Sequence, residues 1–206
     1  MSEKDFVLQG NIPGAIRSDE DMLLIDKDAA EEAFKLHKKQ LVAFLKERGF
    51  AKYKTNSFLR KNQLDVLEYI DLQKEHYGSK TFTVNYALTT LIVEHSIFSF
   101  DISGRLGMLI CGRDVWWDYS DEAKADISFT NVMQAIDALL IPWFEEHAST
   151  DVLKQELLSI AKRREAYGGR LNATQQAWLE SLDDNVDRRD IIEVNRVALK
   201  LPAKLF

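Results

Sequence analysis

The stretch from residue 48 to residue 88 constrains the fold most, because within it the hydrophobic period changes from that of a helix to that of strands. In Thr81-Phe82-Thr83-Val84-Asn85-Tyr86-Ala87-Leu88 the large residues Phe82, Val84, Tyr86 and Leu88 alternate with smaller or polar ones. That alternation predicts a half-buried strand over 80–88, with further strands over 53–60 and 64–73. Ile70 and Leu72 join the core face of the second strand, while Tyr69, Asp71 and Gln73 point the other way. His76-Tyr77-Gly78-Ser79 is the connecting turn, and so short a link makes the pair antiparallel. Upstream, Asp26 or Asp28 can cap a helix with Glu31 and Glu32 in its first turn, where they suit the dipole. Phe34, Leu41, Phe44 and Leu45 share one face of it, Gly49 ends it, and Phe50 folds back on the last turn. A helix docked on at least three strands is the seed of an α+β domain with an antiparallel sheet of four or more strands.

The remainder divides into an arm, a core and an extension. Residues 1–25 lack a clear period and are broken by Gly10, Pro13 and Gly14, so they read as an extended N-terminal arm. The core domain spans 26–167. Within it 91–102 is apolar enough for a further strand, 105–110 is a short helix or turn, and Ile127, Val132, Ile136, Leu139 and Leu140 have helical spacing. Pro142 disturbs or restarts that helix, and Ser149 or Thr150 caps another carrying Val152, Leu153, Leu157 and Ile160. Beyond the break at Gly168-Gly169, residues 170–206 form a C-terminal helical extension packed on the core or on a second copy of the chain.

Composition removes several classes of function. A chain of 206 residues with 46% hydrophobic side chains can build a core of ordinary size. Its 33 acids against 27 bases leave a net charge of -6, which opposes a nonspecific grip on phosphate backbones and favours basic partners. The single Cys111 forms no internal disulfide, the start Met-Ser-Glu-Lys-Asp lacks the blocks of a secretory signal, and a cytoplasmic location is expected. The longest apolar run, 138–144, is interrupted by Pro142 and is far shorter than a membrane span, so no membrane association is expected.

The order of motifs resembles the bacterial family known only as a domain of unknown function, DUF4304. The resemblance is carried by Leu45-Lys46-Glu47-Arg48-Gly49-Phe50, Asn56-Ser57-Phe58-Leu59-Arg60, Ile70-Asp71-Leu72-Gln73-Lys74 with Tyr77-Gly78-Ser79, Phe82-Thr83-Val84-Asn85, and Arg105-Leu106-Gly107 with Asp114-Val115-Trp116-Trp117. It covers about residues 30–145. It implies an α+β bacterial protein with no established catalytic residues. By analogy of size and charge, the sharpest form of the expectation is an immunity-like inhibitor that neutralises a partner protein.

No catalytic set is expected. Cys111 lies in the apolar run Leu109-Ile110-Cys111 and reads as a buried, inert thiol. His37, His76, His95 and His147 are scattered without zinc-site spacing, and no glycine pattern marks a dinucleotide or P-loop site, so no metal or cofactor is expected. The basic run Lys162-Arg163-Arg164 is embedded among acids without interleaved aromatics and reads as a solvated helix face rather than a nucleic-acid surface. Two candidates remain. The first is a ligand-binding face on which Asp71 and Gln73 join Thr83 and Asn85, with Arg105 or His76 as a further polar group; its bland counterpart is a solvated or helix-covered face. The second is a partner-binding segment of Arg113, Asp114, Trp116, Trp117 and Asp118. In a strand Trp117 and Tyr119 share a face and Trp116 takes the other, so one indole is core and the other is an interface anchor or a lid over the sheet edge. The expectation is a non-catalytic protein that binds another protein, with a small-ligand binder or enzyme on the polar sheet face as the alternative and a homo-oligomer through the C-terminal helices as a third possibility.

Overall fold

The computed structural model describes residues 26–206 apart from Ser96 and Asn185, so the expected arm over 1–25 lies outside the described residues. Helix α1 (Lys27–Glu47) starts at Asp26, whose carboxylate accepts from the amides of Asp28 and Ala29 at 3.0 and 3.1 Å. It ends at Arg48, followed by Gly49 at φ +84°, a left-handed conformation that a side chain would strain. Phe34, Leu41 and Leu45 are buried on its inner face, whereas Phe44 is half-buried beneath the Arg48 guanidinium at 3.5 Å from its ring centre.

Strands β1 (Ala51–Lys52), β2 (Ser57–Lys61), β3 (Val66–Lys74), β4 (Thr81–Thr90) and β5 (Ile102–Arg105) lie side by side in chain order, and β6 (Trp117–Asp118) pairs with β4. The β1–β2, β2–β3 and β4–β6 pairs are antiparallel, with Phe58 opposite Ile70 and Phe82 opposite Trp117. The protein is therefore α+β, built on an antiparallel sheet, with a helix before it and several after it. Those helices are α2 (Leu106–Cys111), α3 (Glu122–Ala135), α4 (Ile141–Glu146), α5 (Thr150–Glu165), α6 (Ala173–Ser181) and α7 (Arg189–Ala198). A π-helical turn, Ile136–Leu140, precedes Pro142, whose ring and missing N–H are incompatible with a regular helical turn before it. The helical stretch Glu122–Glu146 is long and apolar enough to cross a membrane by length and composition, which the interruption at Pro142 conceals in the sequence. Its Phe129, Val132, Ala135, Ile136 and Leu140 are nevertheless fully buried within the protein, as in a core helix, while Ile127, expected on that face, is half exposed.

The described residues form two compact units that interleave along the chain. The first comprises residues up to Arg48, Leu72–Val84 and Arg105–Leu140. Its core is aromatic: Phe34 lies 5.5 Å from Phe82, 4.9 Å from Tyr119 and 5.3 Å from Phe129, all edge-on or tilted. Glu31 of α1 pairs with Lys74 at 2.5 Å and Lys80 at 2.8 Å, fastening the helix to the β3–β4 hairpin.

The second unit comprises Gly49–Asp71, Asn85–Gly104 and Ile141–Phe206. Here both faces of the sheet are covered. On one, Tyr86 meets Trp143 and Phe144, and Phe50 packs on Phe144. On the other, Leu59, Leu67, Tyr69, Ala87 and Leu91 form one buried cluster with Leu199 and Leu201 from the C-terminal segment, and the Tyr53 hydroxyl donates to the Leu199 carbonyl at 2.9 Å. Of the strand expected over 91–102, the described residues 91–95 and 97–101 instead form irregular backbone before the four-residue β5, which begins at Ile102. Asn195 of α7 takes up the Leu91 and Val93 carbonyls and the His95 amide, so these groups are lost to a sheet ladder.

Candidate functional site

The partner-binding segment is brought to the end of β5 by a close backbone approach. A β-carbon on Gly107 would sit 2.5 Å from both the Arg113 carbonyl oxygen and the Val115 nitrogen, so only glycine lets α2 lie against residues 113–115. That approach sets Arg105 beside Asp114, with which it forms an ion pair, and over the Trp116 ring at 5.4 Å from its centre. Trp116 is half-buried, Arg113 and Asp114 are exposed, and Met108 on α2 is 49% exposed. Trp117 is buried, its ring 6.0 Å from Phe82, and Tyr119 is buried with it. Asp118 serves the fold: its side chain accepts from the Ser120 amide at 2.8 Å and its carbonyl from the Ser128 hydroxyl at 2.6 Å. The accessible cluster is therefore Arg105, Asp114 and Trp116 with neighbouring Arg113. Arg105, grouped by sequence with the sheet residues, belongs to it.

The four sheet candidates are held differently. Asp71 and Asn85 fall in the second unit, Gln73 and Thr83 in the first. Asp71 accepts from the Ser57 hydroxyl at 2.7 Å, and Ser57 in turn accepts from Tyr69 at 3.1 Å. Burial pushes the Tyr69 hydroxyl up to about 12, so it remains a donor. Thr83 is fully buried and its hydroxyl has no hydrogen-bond partner among the described residues, while Gln73 and Asn85 are half-buried. His76 is exposed in the β3–β4 turn.

Cys111 is exposed, contrary to the expectation of a buried thiol. It is the last residue of α2, which Gly112 ends in a left-handed conformation at φ +70°. Among the described residues no three His, Cys, Asp or Glu side chains converge as a metal site would require.

Sequence reasoning missed a polar cluster inside the loop 91–101. Asp101 is 3% exposed; its Oδ2 accepts from Thr89 at 2.7 Å and Ser99 at 2.9 Å, while its Oδ1 has no hydrogen-bond partner among the described residues. Burial pushes the Asp101 carboxyl up from its ordinary value, and the Thr89 and Ser99 bonds and nearby His95 restrain the rise. His95 Nε2 lies 2.6 Å from the Thr90 carbonyl, an acceptor only, so that nitrogen carries the proton. Ser99 Oγ lies 3.4 Å from His95 Nδ1, but its single proton has the shorter path to Asp101. From α7 the fully buried Asn195 donates to the carbonyls of Leu91 and Val93 at 2.8 and 2.7 Å and accepts from the His95 amide at 2.8 Å. The available signal was the recurrence of His95, Ser99 and Asp101 among Leu91, Val93, Phe98 and Ile102, because a polar residue buried in such a run needs partners.

These features define an α+β domain with an exposed Arg–Asp–Trp cluster and a separately braced loop. The family model for the domain of unknown function DUF4304 matches residues 41–146, and the chain belongs to that family. No curated protein and no solved structure matches the chain.

Proposed function

We propose that this protein is a non-catalytic binding protein whose partner-facing surface is the cluster of Arg105, Arg113, Asp114 and Trp116. The supporting observation is the Arg105 guanidinium lying over a half-buried Trp116 while ion-paired to an exposed Asp114. Arginine, tryptophan and methionine are enriched in interface centres. An exposed ion pair is worth about 0–1 kcal/mol and an exposed cation–π contact about 0.5–1 kcal/mol, so the cluster contributes little to stability relative to the buried Trp117 beside it. The partner is a protein, and the chain's net charge of -6 favours a basic one.

The test exchanges the charges: Arg105→Glu with Asp114→Arg retains an internal ion pair but inverts the pattern a partner meets. Affinity capture from the source organism with the wild-type chain should recover a discrete partner protein that the exchanged variant loses, with the unfolding free energy in urea changed by less than about 1 kcal/mol. Equal capture by both proteins would overturn the assignment.

A further inference from the structure

In the second unit a cleft of about 210 Å³ lies between residues 100–103 and one face of α5. Glu156, Ile160, Arg163 and Arg164 line it from the helix at spacings that place them on one side, and Phe100, Ile102 and Gln175 complete the walls. Part of the wall is already committed: Gln175 Nε2 donates to the Asp101 carbonyl at 2.5 Å, and Asp101 Oδ2 accepts from Thr89 and Ser99, while Asp101 Oδ1 has no hydrogen-bond partner among the described residues. The arginines are not comparably committed. Arg163 reaches Glu156 at 3.3 Å with its side chain 64% exposed, and Arg164 donates to the Arg170 carbonyl at 3.2 Å, whereas a guanidinium carries five N–H donors. Phe100, 52% exposed, and half-buried Ile160 add apolar surface within the same cleft.

We propose that this cleft binds a small organic carboxylate, its anionic head held by Arg163 and Arg164 and its apolar body lying against Phe100 and Ile160. Paired guanidiniums match a carboxylate in geometry as well as charge. The volume lies below the roughly 300 Å³ at which pockets for drug-sized molecules begin, which fits an aromatic or branched acid. Burial favours the neutral form of Asp101, which reduces repulsion of an anion from the wall. Glu156 is the internal competitor for Arg163. None of these residues belongs to the Trp116 surface, so the two proposals stand or fall separately.

The experiment is an amide-resolved NMR titration of the full-length chain with phenylacetate, its neutral analogue phenylacetamide, and inorganic phosphate. Phenylacetate should shift the amides of residues 100–104 and 156–164 saturably. Combining Arg163→Ala with Arg164→Ala should weaken that binding about tenfold without disturbing the spectrum elsewhere, as expected for exposed side chains. Glu156→Gln should tighten it a few-fold by releasing Arg163. Absence of saturable shifts, equal binding of phenylacetamide, or phosphate binding as tightly as phenylacetate would each overturn the proposal; the second shows the arginines to be idle, and the third shows an anion patch with no apolar subsite.

Discussion

At Gly107 the absence of a single side-chain carbon decides whether the tryptophan pair is correctly placed. A methyl group there meets backbone atoms of residues 113 and 115 at 2.5 Å, and backbone cannot rotate away as a side-chain tip can. Gly107→Ala is expected to cost about 2 kcal/mol in urea unfolding and to alter native tryptophan fluorescence, because Trp116 and Trp117 follow the displaced segment. An unchanged midpoint and spectrum would show that the segment relaxes freely. Asp101 couples stability to pH. Its folded carboxyl titrates above the ordinary aspartate value of 3.8, so the stability it confers is complete below that value and is lost as pH rises through the raised folded one. Compared with Asp101→Asn, the wild type should lose ground as pH rises from the ordinary value of 3.8 through the raised folded one, read as the difference between urea midpoints. Glu68, also raised chiefly by burial despite its Arg60 partner, is common to both proteins and cancels. A pH-independent difference would remove Asp101 from the account.

Elements whose determinants are local could be read from sequence, and those fixed at a distance could not. Gly49 ends α1, and the Phe82, Val84, Tyr86 and Leu88 alternation gives β4, because each depends on a few adjacent residues. Residues 91–101 look like a strand by composition but are held as a loop by Asn195, about a hundred positions away, which no local period can reveal. The association of Arg105 with Trp116 depends on the close approach of Gly107 to residues 113 and 115. The Trp117–Tyr119 face was legible because alternation alone separates it from Trp116. Asn195→Ala tests the distant fastening of α7. It orphans the Leu91 and Val93 carbonyls and the His95 amide, and should cost about 3 kcal/mol with faster amide exchange at His95. Unchanged exchange at His95 would mean that the loop holds its shape without α7.

Across the whole molecule, the C-terminal segment completes the second unit's core. Leu199 and Leu201 cover Leu59, Leu67, Tyr69, Ala87 and Leu91, and the Tyr53 hydroxyl is anchored to the same segment. Deleting residues 169–206 should expose that apolar face, seen as strong binding of a hydrophobic dye and loss of near-ultraviolet dichroism, whereas a truncated chain with the full-length urea midpoint would show that the segment is dispensable. Site-specific photocrosslinking in cells of the source organism reads contacts at the Arg105, Asp114 and Trp116 surface without removing any of its residues. A photoreactive phenylalanine replacing Met108, 49% exposed on α2 three residues after Arg105, should capture one discrete protein, and the same group replacing Tyr167, 93% exposed, should not. Equal products from both positions, or none from position 108, would contradict the assignment of a partner to this surface.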